Sequence, residues 1–500
     1  MQKRGELFGV DLRSLATFRI GLGALLLIDL SVRATDLTAH YTDAGILPRA
    51  ALIEKFLSPW DVSVHLANGT AAFQAGLLLL AGLFALALLV GYRTRLATIM
   101  SWALLMSLQV RNPSILSHAD HLMRLLLFWG MFVPLGARYS FDNRSSPGLP
   151  QRVVSMGTLA LLMQVVFVYE FTWLEKWGTE WWPEGSALYY TLSMDQVVTQ
   201  AGRALLTLPP EWLRALTYFT YGFELLGPYL LFIPVRTGPI RTAVVCGFWC
   251  LQAGFGLCLQ LGLFPWISCV AMLPFVPAWC WDHLLARVRV GVGWDRRFMR
   301  GVTRFMTLVG IPMRTTPVEL GLSRRGTVFA AFCLVYVFCW NLGSVLHWTN
   351  AAGPLASVRG VGRLLKLDQQ WKMFAPFPLK KDGWYVIPGT LKSGRQVDLF
   401  RSGQPVEWEK PPLPSAMYKN WHWHTYFSYI WIKGTYGYLP YLADYLCRNW
   451  NNRTAGQEQL EELEVIFMME ETLPERQHSE ARPVPLWHYR CVAEPPTIGG

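Results

Sequence analysis

Five hundred residues of which 52% are hydrophobic and only 16% charged, with 23 tryptophans, exclude an ordinary soluble chain. The formal net charge of +11 would suit a nucleic-acid partner, but its placement argues against one. Nine arginines (287, 289, 296, 297, 300, 304, 314, 324 and 325) face only Asp295 and Glu319 between residues 283 and 325, the pattern of a cytoplasmic loop between membrane spans.

In chain order, the first apolar run, from about Ser14 to Leu30, holds Arg19 and Asp29 and has no small-residue cleavage site after it, so it reads as a retained helix. Runs such as 71–90, AAFQAGLLLLAGLFALALLV, reach the roughly 20 residues that a bilayer-spanning helix needs. About nine spans are expected, near 14–34, 71–91, 96–110, 121–137, 153–174, 213–233, 242–262, 265–281 and 326–346. With Lys3, Arg4 and Arg13 inside, the connections bearing Arg93/Arg95, Arg138/Arg144/Arg152, Arg236/Arg241 and the nine arginines all fall inside as well. The N-terminus is then cytoplasmic. The outer face collects residues 36–70, the turn at 111–120, the segment 174–212 and everything after His347. Residues 1–347 are expected to form the helical membrane domain and 348–500 a small extracytoplasmic α+β domain. In the latter, GWYVIPGTLKSGRQVDLF (383–400) reads as two strands around a Lys-Ser-Gly turn, and LEVIFMMEE and VPLWHYRC as further strands. Residues 418–448 are helix-like, interrupted by Gly434, Gly437 and Pro440. Seven cysteines lie in apolar runs with no CxxC pair, as packing residues do; Cys447 and Cys491 lie in the polar C-terminal part, where a pairing is open.

Ionisable residues at membrane depth need partners. Asp29 and Arg33, four apart, suit a pair within one helix, while Arg124 is expected to face Glu170 or Glu224 across the bundle. The motif SHADH places His118, Asp120 and His121 at the mouth of the fourth span, with the two histidines on one helix face and Arg124 and Phe128 continuing it. Their spacing admits a metal, a proton-handling pair or hydrogen-bonded interfacial histidines. The remaining histidines are scattered without a second HxxH or HxxxH, so no metal is expected.

The stretch TWLEKWGTEWWPEG (172–185) sets Lys176 among Trp173, Trp177, Trp181 and Trp182. One reading is a lysine anchored at the headgroups beside an aromatic belt. The other packs the tryptophans around the amine, excludes water and favours the neutral base. Glu175 and Glu180 oppose the second reading if they lie close, and Glu180 at i+4 suits a plain helix pair. The residues alone leave both open.

Four blocks resemble one family: HYTDAGILPR (40–49), SHADHLMRLLLFWGMFVPLGARYSFD (117–142), LEKWGTEWWPEGSALYYTL (174–192) and QWKMFAPFPLKKDGWYV (370–386). Over most of its length the chain is similar to the vitamin K-dependent γ-carboxylase-like membrane proteins, the HTTM family. In those carboxylases a lysine after this helix deprotonates reduced vitamin K; oxygen adds, the resulting base removes a glutamate γ-proton, and the carbanion captures carbon dioxide as the quinone leaves as its epoxide. The resemblance implies Lys176 as that lysine and His121 as an active-site histidine, a one-residue shift placing Asp120 there instead. It implies reduced vitamin K or menaquinol, with O2 and CO2 as co-substrates and a peptide or protein glutamate as acceptor. His118, Asp120, Arg124, Glu170, Glu224 and Trp177 are the expected supporting residues. The C-terminal part is short beside the vertebrate enzymes. The alternative is a non-carboxylating membrane protein of the same fold that binds a quinone, lipid or protein partner; a transporter is disfavoured by the lack of paired broken helices.

Overall fold

The computed structural model describes residues 7–143, 150–287, 320–349 and 353–491. Six of the nine arginines of the basic loop, together with Lys3, Arg4 and Arg144, lie outside them. Each expected span overlaps a helix: α1 (Leu12–Thr35), α2 (Ala71–Val90), α3 (Thr94–Arg111), α4 (His118–Gly130), α5 (Met156–Glu175), α6 (Pro210–Leu230), α7 (Thr237–Cys258), α8 (Phe264–Met272) and α9 (Arg324–Val345). The expected span 265–281 is broken after α8 by a 3-10 turn at Leu273–Phe275 and a separate helix at Ala278–Arg287. Among the described residues, α1, α2, α5, α7 and α9 are long and apolar enough to cross a membrane. Helices α4 and α8 have 13 and 9 residues; α3 and α6 have the length but not the apolar composition.

Local sequence explains the ends. Helix α2 stops at Gly91, whose φ of 75° is the left-handed conformation that glycine adopts without a Cβ penalty. Helix α4 starts with a capping box in which the Asp120 carboxylate accepts the Ser117 backbone N–H at 2.8 Å. The other Asp120 oxygen accepts from Arg33, a fully buried guanidinium that also donates to Asp29 at 2.6 Å and to the Tyr41 hydroxyl at 2.6 Å. The expected Asp29–Arg33 pair is present and extends to α4.

The C-terminal part holds a five-stranded antiparallel sheet: β1 (Lys381–Val386), β2 (Pro388–Leu391), β3 (Gln396–Asp398), β4 (Leu460–Glu471) and β5 (Arg482–Arg490). The long central β4 pairs β1 in the register Lys381↔Glu471, β2 through Gly389↔Leu463, and β5 through Glu462↔Arg490. Two helices, α10 (Trp421–Lys433) and α11 (Leu439–Asn451), are separated by Gly434 in the left-handed region, with Pro440 in the first turn of α11. Cys447 on α11 and Cys491 after β5 form a disulfide, with Cα atoms 5.6 Å apart.

One continuous apolar cluster runs from Leu12 of α1 to Phe467 of β4, so the sheet region is seated on the helices. Polar contacts fix the seat. Asp36 accepts from Lys419 at 2.6 Å and Asn420 at 2.7 Å, Lys366 reaches Asp61 at 2.5 Å, and Gln196 donates to Asp382 at 2.6 Å. The loops 36–70 and 174–212 thus converge on the C-terminal part.

Candidate functional site

A cavity of about 490 Å³ lies where the ends of α4 to α7 meet α10 and the segment 372–379. Helix α5 ends at Glu175, and Lys176 is its C-cap, with non-helical φ/ψ of −88° and 63°. The break turns the lysine side chain inward, and it is 3% exposed. Gly178 lets the next turn approach closely: its N–H donates to the Pro376 carbonyl at 3.1 Å, and a Cβ there would lie 2.8 Å from that oxygen. Helix α6 presents Thr217, Thr220 and Glu224 to the cavity at three- and four-residue spacing.

The Lys176 ammonium donates to the Glu224 carboxylate and sits 4.2 Å from the centre of the Trp181 ring. Both partners are buried, so the pair is held in an apolar, weakly screening site. Such a pair can be drawn as ammonium and carboxylate or as amine and carboxylic acid, one proton shared between two acceptors. The headgroup-anchor reading of Lys176 does not fit this burial. The encircling tryptophans are corrected too: Trp181 touches the amine, Trp173 packs on Tyr221 at 5.5 Å, and Trp177 and Trp182 are 72% and 63% exposed. Because α5 ends first, Glu180 makes no helix pair with Lys176; it meets Lys380 at 2.6 Å, and Glu175 meets Lys372 at 3.6 Å.

Of the histidine pair, His118 lines the cavity with Lys176, whereas His121, its ring centroid 6.4 Å from that of His118, lines a different cavity with Arg124. Lys176 and His121, both implied by the resemblance as active-site residues, therefore line different cavities: a three-residue step on a helix is 60° short of a full turn, enough to aim the two histidine rings at two cavities. Asp120 is committed to the cap and to Arg33. Arg124 does not reach Glu170 or Glu224; it pairs with Asp368 at 3.3 Å and approaches Gln109 at 3.4 Å. Glu170 accepts from the Tyr229 hydroxyl at 3.3 Å, away from the Lys176 pair.

Four lining residues escaped the sequence reading: Gln252, Lys372, His424 and Lys433. Gln252 donates to the Tyr169 hydroxyl at 3.2 Å, and its buried Oε1 has no partner. His424 donates from Nε2 to the Gln196 carbonyl at 2.7 Å, and burial pushes its pKa down to about 4, so it is neutral at pH 7. The signal for α10 was present: Trp421, His424, Thr425, Ser428, Tyr429 and Ile432 recur at helical spacing, an inward stripe carrying polar groups.

No curated protein and no solved structure matches the chain. The HTTM domain model matches residues 9–279, over half of its length, and includes Lys176, Glu224 and both histidines. The chain belongs to the HTTM domain family.

Proposed function

We propose that the protein is an integral-membrane, quinol-dependent γ-glutamyl carboxylase-like enzyme in which Lys176 and Glu224 together accept the first proton. The observation that carries this reading is the buried amine–carboxylate pair in the wall of a largely apolar cavity. The cavity suits a two-ring quinol headgroup: its volume of about 490 Å³ lies in the range for drug-sized ligands, roughly 300–1,000 Å³. The unpartnered Gln252 Oε1 is an acceptor for a quinol hydroxyl. Reduced vitamin K or menaquinol would supply, on reaction with O2, the strong base that removes a glutamate γ-proton before CO2 adds.

The chain's own part is proton transfer without charge separation. In its amine–carboxylic acid form the pair takes the hydroxyl proton onto the Lys176 nitrogen, and the ammonium so formed stays beside the new oxyanion and Glu224; the total charge of the three groups is zero before and after. His118 and His424 border the same space, His424 as a neutral imidazole. Trp181 and the apolar lining keep the pair dry.

We place the N-terminus in the cytoplasm, all nine helices in the membrane, residues 1–347 as the membrane domain, and residues 348–500 as an extracytoplasmic domain presenting a peptide or protein glutamate. The positive-inside pattern and the Cys447–Cys491 disulfide, a bond of oxidising compartments, support that placement. The test is incorporation of radiolabelled carbon dioxide into a glutamyl peptide with reduced vitamin K or menaquinol. Lys176→Arg and Lys176→Ala should abolish it, and a small exogenous amine should restore part of it in the alanine variant. Full activity of Lys176→Arg overturns the proposal. Menaquinone binding without label incorporation would favour the non-carboxylating reading.

A further inference from the structure

A second cavity, of about 330 Å³, adjoins the first; Tyr429 and Lys433 at the end of α10 line both. Four cations, Arg124, Arg363, Lys366 and Lys433, line it against two carboxylates, Asp61 and Asp368. Both carboxylates are engaged: Lys366 lies 2.5 Å from Asp61, and Arg124 lies 3.3 Å from Asp368. Among the described residues, Arg363 and Lys433 have no ion-pair partner; Lys433 only overhangs the Tyr429 ring, 3.6 Å from its centre. Arg124 is 4% exposed, and its Nε makes no hydrogen bond; neither does Nδ1 of His121 on the same wall. A buried N–H left without an acceptor is costly, and a cavity with two surplus cations repels a metal ion.

We propose that this second cavity binds a small planar oxyanion of carboxylate type, held by Arg124, Arg363 and Lys433. The planar guanidinium fork matches a carboxylate in two parallel hydrogen bonds, and Lys433 adds a point charge. The site goes beyond the carboxylase reading, since binding requires no turnover. Lys433 on the shared wall borders the main cavity as well. The carboxylate can come from a free ion or from a peptide side chain, and the test separates the two.

The experiment uses the full chain in detergent micelles at pH 7 and follows its thermal unfolding midpoint during titration with sodium acetate, sodium chloride at equal ionic strength, or acetyl-glutamyl amide. Acetate should raise the midpoint saturably where chloride does not. A response to acetyl-glutamyl amide alone assigns the site to a peptide-borne carboxylate. The double variant Arg363→Gln/Lys433→Gln should weaken the apparent Kd at least tenfold, while Arg395→Gln, which removes a cation from an exposed surface pair, should leave it unchanged. If the double variant does not fold, Lys433→Arg should retain the response and Lys433→Gln weaken it. No difference between carboxylates and chloride, or a charge-deleted variant that responds like the parent, overturns the proposal.

Discussion

Deleting one member of the Lys176–Glu224 pair should produce stability losses with opposite pH dependence. In Lys176→Met, Glu224 is left alone in an apolar wall, where its escape is to take up a proton. At pH 7 that costs about 3.7 kcal/mol, taking about 4.3 for the unfolded carboxyl and about 1.36 kcal/mol per pH unit. In Glu224→Leu the lone amine escapes by losing a proton, which costs about 4.6 kcal/mol from an unfolded reference of about 10.4. Both figures agree with the roughly 3–5 kcal/mol typical of breaking a buried pair. The Lys176→Met deficit should therefore shrink by about 1.4 kcal/mol per unit as pH falls to 5, and the Glu224→Leu deficit should shrink at the same rate as pH rises to 8.5. The double variant Lys176→Met/Glu224→Leu leaves no orphaned charge and should recover most of the loss. Chemical unfolding in detergent between pH 5 and 8.5, followed by tryptophan fluorescence, measures all four corners of the cycle. Additive single losses, or deficits that do not move with pH, refute the buried pair.

Acid should destabilise the protein through neutral buried histidines. Burial pushes His65, 1% exposed and hydrogen-bonded to Gln74 at 2.7 Å, down to about 4, and His40 down to about 3. A depressed histidine contributes stability that is complete above its unfolded value near 6.5 and lost as pH falls toward the folded value. For His65 this amounts to at most about 3 kcal/mol, and His65→Gln should flatten the pH slope of unfolding between 6.5 and 4; an unchanged slope contradicts the assignment. Reduction of Cys447–Cys491, which are 44 residues apart, should cost up to about 4 kcal/mol on the chain-entropy account, read as a lower denaturation midpoint of the C-terminal part in dithiothreitol. No shift on reduction would mean that the bond constrains nothing in the unfolded chain.

Local rules made much of this molecule legible. Apolar runs marked α1, α2, α5, α7 and α9, strand-like runs and a Lys-Ser-Gly turn marked the sheet, and Gly434 with Pro440 marked the break between α10 and α11. The family motif located Lys176, yet its partner came from Glu224, 48 positions on, because pairing across a bundle depends on helix rotation that a sequence does not display. Arg124 was misassigned for a related reason: Asp368 lies 244 positions away in an irregular segment with no periodicity to read. The i+4 spacing of Lys176 and Glu180 forms no helix pair because α5 ends at Glu175, beyond which Gly178 permits the chain to fold back on Pro376.

The roof of the main cavity comes from the second half of the chain, and this has a consequence for biogenesis. Lys433 follows Lys176 by 257 residues, which at about 5–20 residues per second of synthesis is a delay of roughly 13–50 s. Throughout that interval the helices carrying Lys176 and Glu224 exist without α10 above them, so the future cavity lacks one wall and its polar pair is not yet enclosed. Enclosure of the pair by α10 is therefore among the last events of assembly.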